Sequence, residues 1–440
     1  MSIFVVQNKY IIAVAGLWHL GSVYAGCLAD VGHTVIGWDQ DAAVVARLQE
    51  GRAPLMEPQL EDKIKNCIHD YRLDFTTDLN KLKECNTVWV AFDTPVDEKD
   101  MVHLDPIWDF LQRAVPVLKQ DVLVVISSQL PVGTTQAIVG FISEARPELK
   151  FSVAYVPENL QLGKAVESFM KPGRIVVGAS TAETAEKIKD IFAPLRTSFL
   201  VMDPSSAEMS KHALNAFLAT SLSFTYDIAD LCQLYGADIV AVAKALRSDE
   251  RIGPGAYLDA SIGFSGGTLA RDLKILLNKA HEADIDLPVI AGVFKKNKIR
   301  RSLATKYLTD YLGNLKGKKI AVFGLTYKPG TATLRRALAL EIISKLLTAG
   351  AIIHAHDPMA DAEEVKKALP VEFFANSYEC AKGCQAVVII TNWPEFKKLN
   401  LIKLKLCLKP PYIFFDTRNF FYDQEVALRA AGFSYLGVGR

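Results

Sequence analysis

Asp203–Gly236 reads DPSSAEMSKHALNAFLATSLSFTYDIADLCQLYG, and the rest of the chain is arranged around it. Ser205 stands three residues ahead of Glu208, the spacing of a capping box, and Gly236 is the residue helices favour just past their end. Neither Pro nor Gly falls between them, so roughly 30 residues can run as one helix of about 45 Å. From Ala213 to Phe224 almost every side is apolar or small, which predicts burial all round. The first turns nevertheless carry Lys211 and Asn215, four apart and therefore on one face. Such a lysine either snorkels from an exposed helix start or is paired and used inside a site.

Upstream of this helix, continuous apolar strands alternate with helical stretches. Tyr10–Ala15, Thr34–Trp38, Thr87–Phe92 and Val122–Ile126 are the strands, and they imply a doubly wound α/β domain with a parallel sheet covered on both faces. The turn after the first strand is Gly16-Leu17-Trp18-His19-Leu20-Gly21, with the first and third glycines of a dinucleotide fingerprint in place. Trp18 takes the place of the middle glycine, where backbone amides approach a pyrophosphate; an indole there must point away or displace the cofactor. Asp39 ends the second strand at the distance suited to a ribose diol. Its carboxylate would repel a 2′-phosphate, which favours NAD over NADP. A turn that binds nothing is the competing reading of the same residues.

Downstream, Gly317-Lys318-Lys319 leads into a fresh apolar strand, Ile320–Gly324, followed by a helix near Ala339–Ala349. Ala351–Ala355, Ala386–Ile390 and Tyr412–Phe415 supply further buried strands. The turn after Gly324 lacks dinucleotide glycines, which suits a different ligand.

The length of 440 residues predicts two to three domains. Half the residues are hydrophobic and the formal net charge is +1, with no basic stripe, which argues against nucleic acid or an anionic membrane as partner. The opening MSIFVVQNKY has no signal-peptide pattern, and no apolar run approaches the roughly 18–20 residues that span a bilayer. Seven scattered cysteines make no disulfide framework, and Cys380 with Cys384 lacks the second Cys/His pair of a zinc site. These features predict a soluble, cytoplasmic protein of a reducing compartment, with no metal.

A series of further motifs resembles the UDP-glucose/GDP-mannose dehydrogenase family. It runs through Gly51, Pro54, Glu57, Pro58 and Leu60, then Thr94-Pro95, Pro131-Val132-Gly133-Thr134 and Pro157-Glu158. Ser206-Ala207-Glu208-Met209, Lys211 and Asn215–Thr220 follow in the long helix. Arg251-Ile252-Gly253, Gly263-Phe264, Asp272, Lys328-Pro329-Gly330-Thr331 and Arg335 come next. Asp357-Pro358, Thr391 with Trp393 and Phe396, Asp416 with Arg418-Asn419, and Gly439-Arg440 complete the series, in order over nearly the whole chain.

The resemblance implies two Rossmann-like doubly wound domains joined by a helical domain with one long central helix. An NAD-binding domain would cover 1–202, a helical dimerisation domain 203–305, and a UDP-sugar-binding domain 306–440. It implies NAD as cofactor, a nucleotide sugar as substrate, UDP-glucose by default, and a homodimer through the long helix. The activity implied is oxidation of the sugar's C6 hydroxyl to a carboxylate, which needs a base and oxyanion donors. Carried over residue by residue, Lys211 and Asn215 would hold the oxygen on C6, Asp272 would act with a water as base, and Glu158 would take part in proton transfer or hydrolysis. Gly16, Trp18, His19, Leu20, Gly21, Asp39, Thr94, Gln129, Arg271 and Arg335 would meet the cofactor. Arg251 (reaching across a dimer), Tyr257, Gly263, Lys328 and Arg418 would meet the sugar and its diphosphate.

The chain departs from the family pattern in the loop Gly263–Asp272, where Thr268 stands at the place of the cysteine nucleophile. A threonine hydroxyl is far less acidic than a thiol and forms a poorer acyl intermediate. Cys232 lies roughly 31 Å along the helix from Lys211 and cannot replace it. Asp93, Leu162 and Arg271 are further departures. Three readings follow: a dehydrogenase that passes through an aldehyde hydrate in place of a thioester, a single two-electron oxidation to an aldehyde or keto sugar, or a non-catalytic nucleotide-sugar-binding homologue.

Overall fold

Apolar strands and covering helices alternate, as the sequence predicts, in the computed structural model, which describes residues 10–94, 103–158, 160–265 and 268–440. The chain divides into two compact units, Met1–Ala213 and Leu214–Arg440. The first holds β1 (Ile11–Ala15), β2 (Thr34–Trp38), β3 (Leu73–Thr76), β4 (Thr87–Val90), β5 (Val122–Ile126), β6 (Phe151–Tyr155), β7 (Ile175–Ala179) and β8 (Phe199–Met202). They form an eight-stranded sheet in the order β3-β2-β1-β4-β5-β6-β7-β8. Every pair is parallel except β6 with β7. Two apolar cores, one on each face, explain why these strands read as unbroken hydrophobic runs.

The second unit repeats the design with β9 (Lys319–Phe323), β10 (Ile352–His356), β11 (Glu372–Phe373), β12 (Ala386–Ile389), β13 (Ile413–Asp416) and β14 (Ser434–Leu436). Its six-stranded parallel sheet has the order β11-β10-β9-β12-β13-β14. Both sheets therefore contain the strand order of a dinucleotide-binding fold, with the switch point between the first and fourth strands of each.

The turn after the first strand is built the same way twice. Gly16 (φ +88°) donates its amide to Trp38 at 3.0 Å, and Gly324 (φ +87°) donates to His356 at 2.8 Å. The next residue then donates to the acid that follows the second strand: Leu17 to Asp39 Oδ2, and Leu325 to Asp357 Oδ2, each at 2.7 Å.

The long helix spans Pro204–Tyr235, 32 residues and about 48 Å, and ends before Gly236 at φ +69°. Two expectations for it are corrected. The capping box does not form: Asp203 accepts the Ser206 amide at 2.9 Å, with Pro204 opening the helix. Glu208 turns away into the fold instead, taking the Gly133 amide at 2.6 Å, the Thr135 amide at 2.7 Å and the Thr135 hydroxyl at 2.6 Å. There it satisfies the start of helix Thr134–Ala145, where two backbone amides and a hydroxyl converge on its carboxylate. Burial is also not all round. Phe217 is 71% exposed, Phe224 50% and Leu231 51%, so the helix packs on one side only and leaves a stripe at seven-residue spacing uncovered. No helix among the described residues is long and apolar enough to cross a membrane.

Candidate active site

In the first unit, the fingerprint turn is closed by glycine chemistry. A Cβ on Gly21 would lie 1.8 Å from the Gly16 carbonyl oxygen, so only glycine lets helix His19–Asp30 start so close to the turn. Asp39 gives Oδ2 to the Leu17 amide and Oδ1 to the Asp41 amide at 3.0 Å, one described donor per oxygen, which leaves acceptor capacity for ribose hydroxyls. His19 Nε2 lies 2.7 Å from Glu57 Oε1. Burial alone would raise the Glu57 carboxyl, but His19 and the amides of Gly163 and Ala165 hold it below the usual range. Leu20 belongs to the core.

Thr94 follows β4 and Gln129 follows β5, both buried at the carboxyl edge of the sheet, where ligands of this fold sit. Beside them the wholly buried Ser128 hydroxyl has no partner among the described residues. A glycine cradle, an acid with spare acceptor capacity and an unspent buried hydroxyl fit NAD.

Trp18 is 45% exposed with φ −70°. Its backbone needs no glycine, and its half-exposed side chain stands directly before the amides that open helix His19–Asp30, where a pyrophosphate would approach. Trp18→Gly is expected to tighten NAD binding about tenfold, or about 1.4 kcal/mol, by calorimetric titration. Weaker binding in the variant would show the indole to be a contact.

Lys211 is 7% exposed, which removes the snorkelling alternative. Its Nζ donates to the Glu158 carbonyl at 2.5 Å and lies 3.1 Å from Glu158 Oε1. Glu158 Oε2 takes the Leu160 amide at 2.9 Å. The helix turns carrying Lys211 are fixed by Glu208 and by His212, whose Nε2 is 2.7 Å from the Leu130 carbonyl. The segment leading to Glu158 is fixed by Ser127, which accepts from the Trp89 indole at 2.9 Å and donates to the Val156 carbonyl at 2.6 Å.

In the second unit, Asn215 Nδ2 donates to Asp272 Oδ2, and both side chains are buried. Asp272 lies in the first turn of helix Leu269–Glu282, and its amide donates to the Thr268 carbonyl at 3.1 Å. The Thr268 hydroxyl does not cap that helix. Gly263 (φ +117°) precedes it in the same irregular segment, and Arg271 is half-buried beside Asp272. Lys328 follows β9 and Arg418 follows β13, where Arg418 Nε donates to the Ile390 carbonyl at 2.7 Å.

Arg251, Tyr257 and Arg335 stand at the surface of this unit, Arg251 gripping Asp249 at 2.9 and 2.7 Å. Residues 1–9, Pro95, Gly266 and Gly267, named above for their sequence, lie outside the described residues. All seven cysteines are free, six of them buried. Burial pushes Cys27, Cys85 and Cys384 up to about 12, far from the thiolate form that a nucleophile needs.

Two doubly wound sheets, the first with a fingerprint turn that fits NAD, define a nicotinamide-cofactor dehydrogenase with a second, nucleotide-type domain. The chain belongs to the UDP-glucose/GDP-mannose dehydrogenase family: the family's NAD binding domain matches residues 10–196, its central domain 205–299 and its UDP binding domain 321–423. It is 36% identical over 433 residues to UDP-glucose 6-dehydrogenase YwqF of Bacillus subtilis, covering 98% of this chain and 97% of that protein. Identity to a UDP-glucose 6-dehydrogenase of Pseudomonas aeruginosa is 31% over 444 residues, covering 98% and 97%. The solved UDP-glucose dehydrogenase of Pyrobaculum islandicum superposes over all of both chains with a TM-score of 0.89 at 29% identity.

Proposed function

We propose that this chain oxidises the C6 hydroxyl of a UDP-sugar, UDP-glucose by default, to the uronate, with NAD as cofactor and no cysteine thioester. The observation that carries this reading is the pairing of Asn215 with Asp272 next to Thr268, within a chain matched to the family across all three of its domains. NAD, when bound, supplies the hydride acceptor. Asp272 takes the hydroxyl proton through a water, and Lys211 and Asn215 donate hydrogen bonds to the oxygen on C6 as negative charge develops there. Water then adds to the aldehyde, giving a hydrate whose oxidation, with a second NAD as the hydride acceptor, would yield the acid. Glu158, held against the Lys211 ammonium, takes part in moving its protons. Arg251, Tyr257, Gly263, Lys328 and Arg418 bind the sugar and diphosphate, and Thr94, Gln129, Arg271 and Arg335 join the fingerprint residues at the cofactor.

The division into 1–202, 203–305 and 306–440 belongs to the same reading. So does a homodimer through the long helix, which the exposed Phe217, Phe224 and Leu231 stripe supports, with Arg251 reaching into the partner's site. Seven free thiols support a cytoplasmic setting.

The test is stoichiometry. Two NADH per UDP-glucose, undiminished after iodoacetamide treatment of the native enzyme, is the expected result. One NADH with aldehyde released would favour a single oxidation, which the loss of the thiol at Thr268 also allows. No NADH across a panel of nucleotide sugars would leave a binding homologue.

A further inference from the structure

We infer that Asn297 and Arg300 are positioning residues, which hold Ser261–Phe264 as a preformed platform for the sugar nucleotide next to Thr268 and Asp272. The inference rests on the dehydrogenase reading above. Both residues lie on helix Pro288–Arg300, and both are almost wholly buried, at 2% and 1% exposure. Residues 257–265 form no helix or strand, so their backbone groups have no ladder to satisfy them and the buried ones must find partners elsewhere.

Asn297 meets that need at Phe264 from both sides. Its Oδ1 accepts the Phe264 amide at 2.8 Å and its Nδ2 donates to the Phe264 carbonyl at 3.1 Å. The approach is possible because residue 263 is glycine: a Cβ there would stand 2.9 Å from Asn297 Oδ1, at a backbone φ of +117°. Arg300 meets the need at Ser261, with Nε at 3.0 Å and Nη2 at 2.8 Å from one carbonyl oxygen. Its Nη1 pairs with Asp230, and its guanidinium lies 5.0 Å from the Tyr226 ring centre. Tyr226 bonds the Ser261 hydroxyl at 3.0 Å, and that hydroxyl donates to the Gly263 carbonyl at 3.1 Å.

The geometry has a direction. Asn215, Tyr226 and Asp230 are spaced eleven and four apart on the long helix, which places them on one face. That face meets Asp272 at one end and Arg300 at the other, so the irregular segment is gripped between two helices. The Phe264 ring completes the grip in a core with Ala216, Ala219, Tyr226, Leu273 and Val293. A buried guanidinium is a costly filler compared with an apolar side chain of like volume. What it adds is a fork locked on a single carbonyl, and so a fixed path for the chain towards the reacting groups.

The test compares Asn297→Leu, which keeps the forked shape and loses both hydrogen bonds, with Asn297→Gln, which keeps the amide, and with Arg300→Lys, which keeps the charge and loses the fork. Asn297→Leu and Arg300→Lys are expected to raise KM for UDP-glucose about tenfold and to lower kcat, with KM for NAD within about twofold of the wild type. Asn297→Gln is expected to recover most of the loss. Amide hydrogen exchange over 261–265 should quicken in Asn297→Leu, a readout that needs no turnover. Should Asn297→Leu not fold, Asn297→Gln and Arg300→Lys carry both measurements. Unchanged UDP-glucose kinetics with unchanged exchange in a turning-over enzyme would overturn the inference, as would equal losses for NAD and sugar. A wild type that neither binds nor oxidises UDP-glucose would overturn the functional reading, and the inference with it.

Discussion

Lys211→Ala is expected to lower kcat by about a hundredfold to a thousandfold, the range for removing one preorganised donor to a developing oxyanion. The argument starts from burial. An ammonium at 7% exposure has lost most of its water, and the Glu158 carbonyl at 2.5 Å and carboxylate oxygen at 3.1 Å stand in its place. Two contacts leave the third N–H of the ammonium for a substrate oxygen. Removing the side chain deletes that donor and leaves the Glu158 carboxylate, which is 21% exposed, still in contact with water. The variant should therefore fold, with KM for NAD within about twofold of the wild type, so the loss appears in kcat. Steady-state kinetics with UDP-glucose decide it. Turnover within about threefold of the wild type would remove Lys211 from the chemistry.

Asp272→Asn is expected to cost about a hundredfold to ten-thousandfold in kcat, the span for losing a general base. The substitution is nearly isosteric, and the new amide oxygen can still accept from Asn215 Nδ2, so the buried pair need not open. What disappears is the carboxylate to which the proposed function gives the proton. Affinity for UDP-glucose, measured by calorimetry, should change less than about threefold. A variant that retains turnover would assign the base elsewhere, with Glu158 the first residue to examine.

The fold was open to sequence reading because both sheets are covered on two faces. Thr34–Trp38 and Val122–Ile126 are strands with the expected ends, and Ile320–Gly324 differs from the observed Lys319–Phe323 by one residue. The fingerprint and Asp39 were legible because a turn, an acid and their spacing are local features. Glu208 misled because its local spacing to Ser205 competes with partners 73 and 75 residues away, and no single-sequence pattern encodes that choice. The outer face of the long helix misled for a related reason, since a stripe such as Phe217, Phe224 and Leu231 reads the same in sequence whether it is buried in the core or left exposed. Asn297 and Arg300 were hidden in the run KKNKIRR, which looks like a solvated basic face. Their burial depends on which way helix Pro288–Arg300 turns towards the irregular segment it clamps.

The twice-built turn has a consequence for how many cofactors one chain can hold. Asp357 gives Oδ2 to the amides of Leu325 and Thr326, the Thr326 hydroxyl and the Trp393 indole, and Oδ1 to the amides of Met359 and Ala360. Six donors exceed what a carboxylate's lone pairs comfortably accept, so this acid has nothing to offer a ribose diol. Asp39, at the matching place in the first sheet, carries two. The same strand order and the same glycine turn thus present a receptive acid once and a saturated acid once. A titration with NAD should reach its end point at one equivalent per chain, because the second sheet has spent its acceptor on four backbone amides and two side chains.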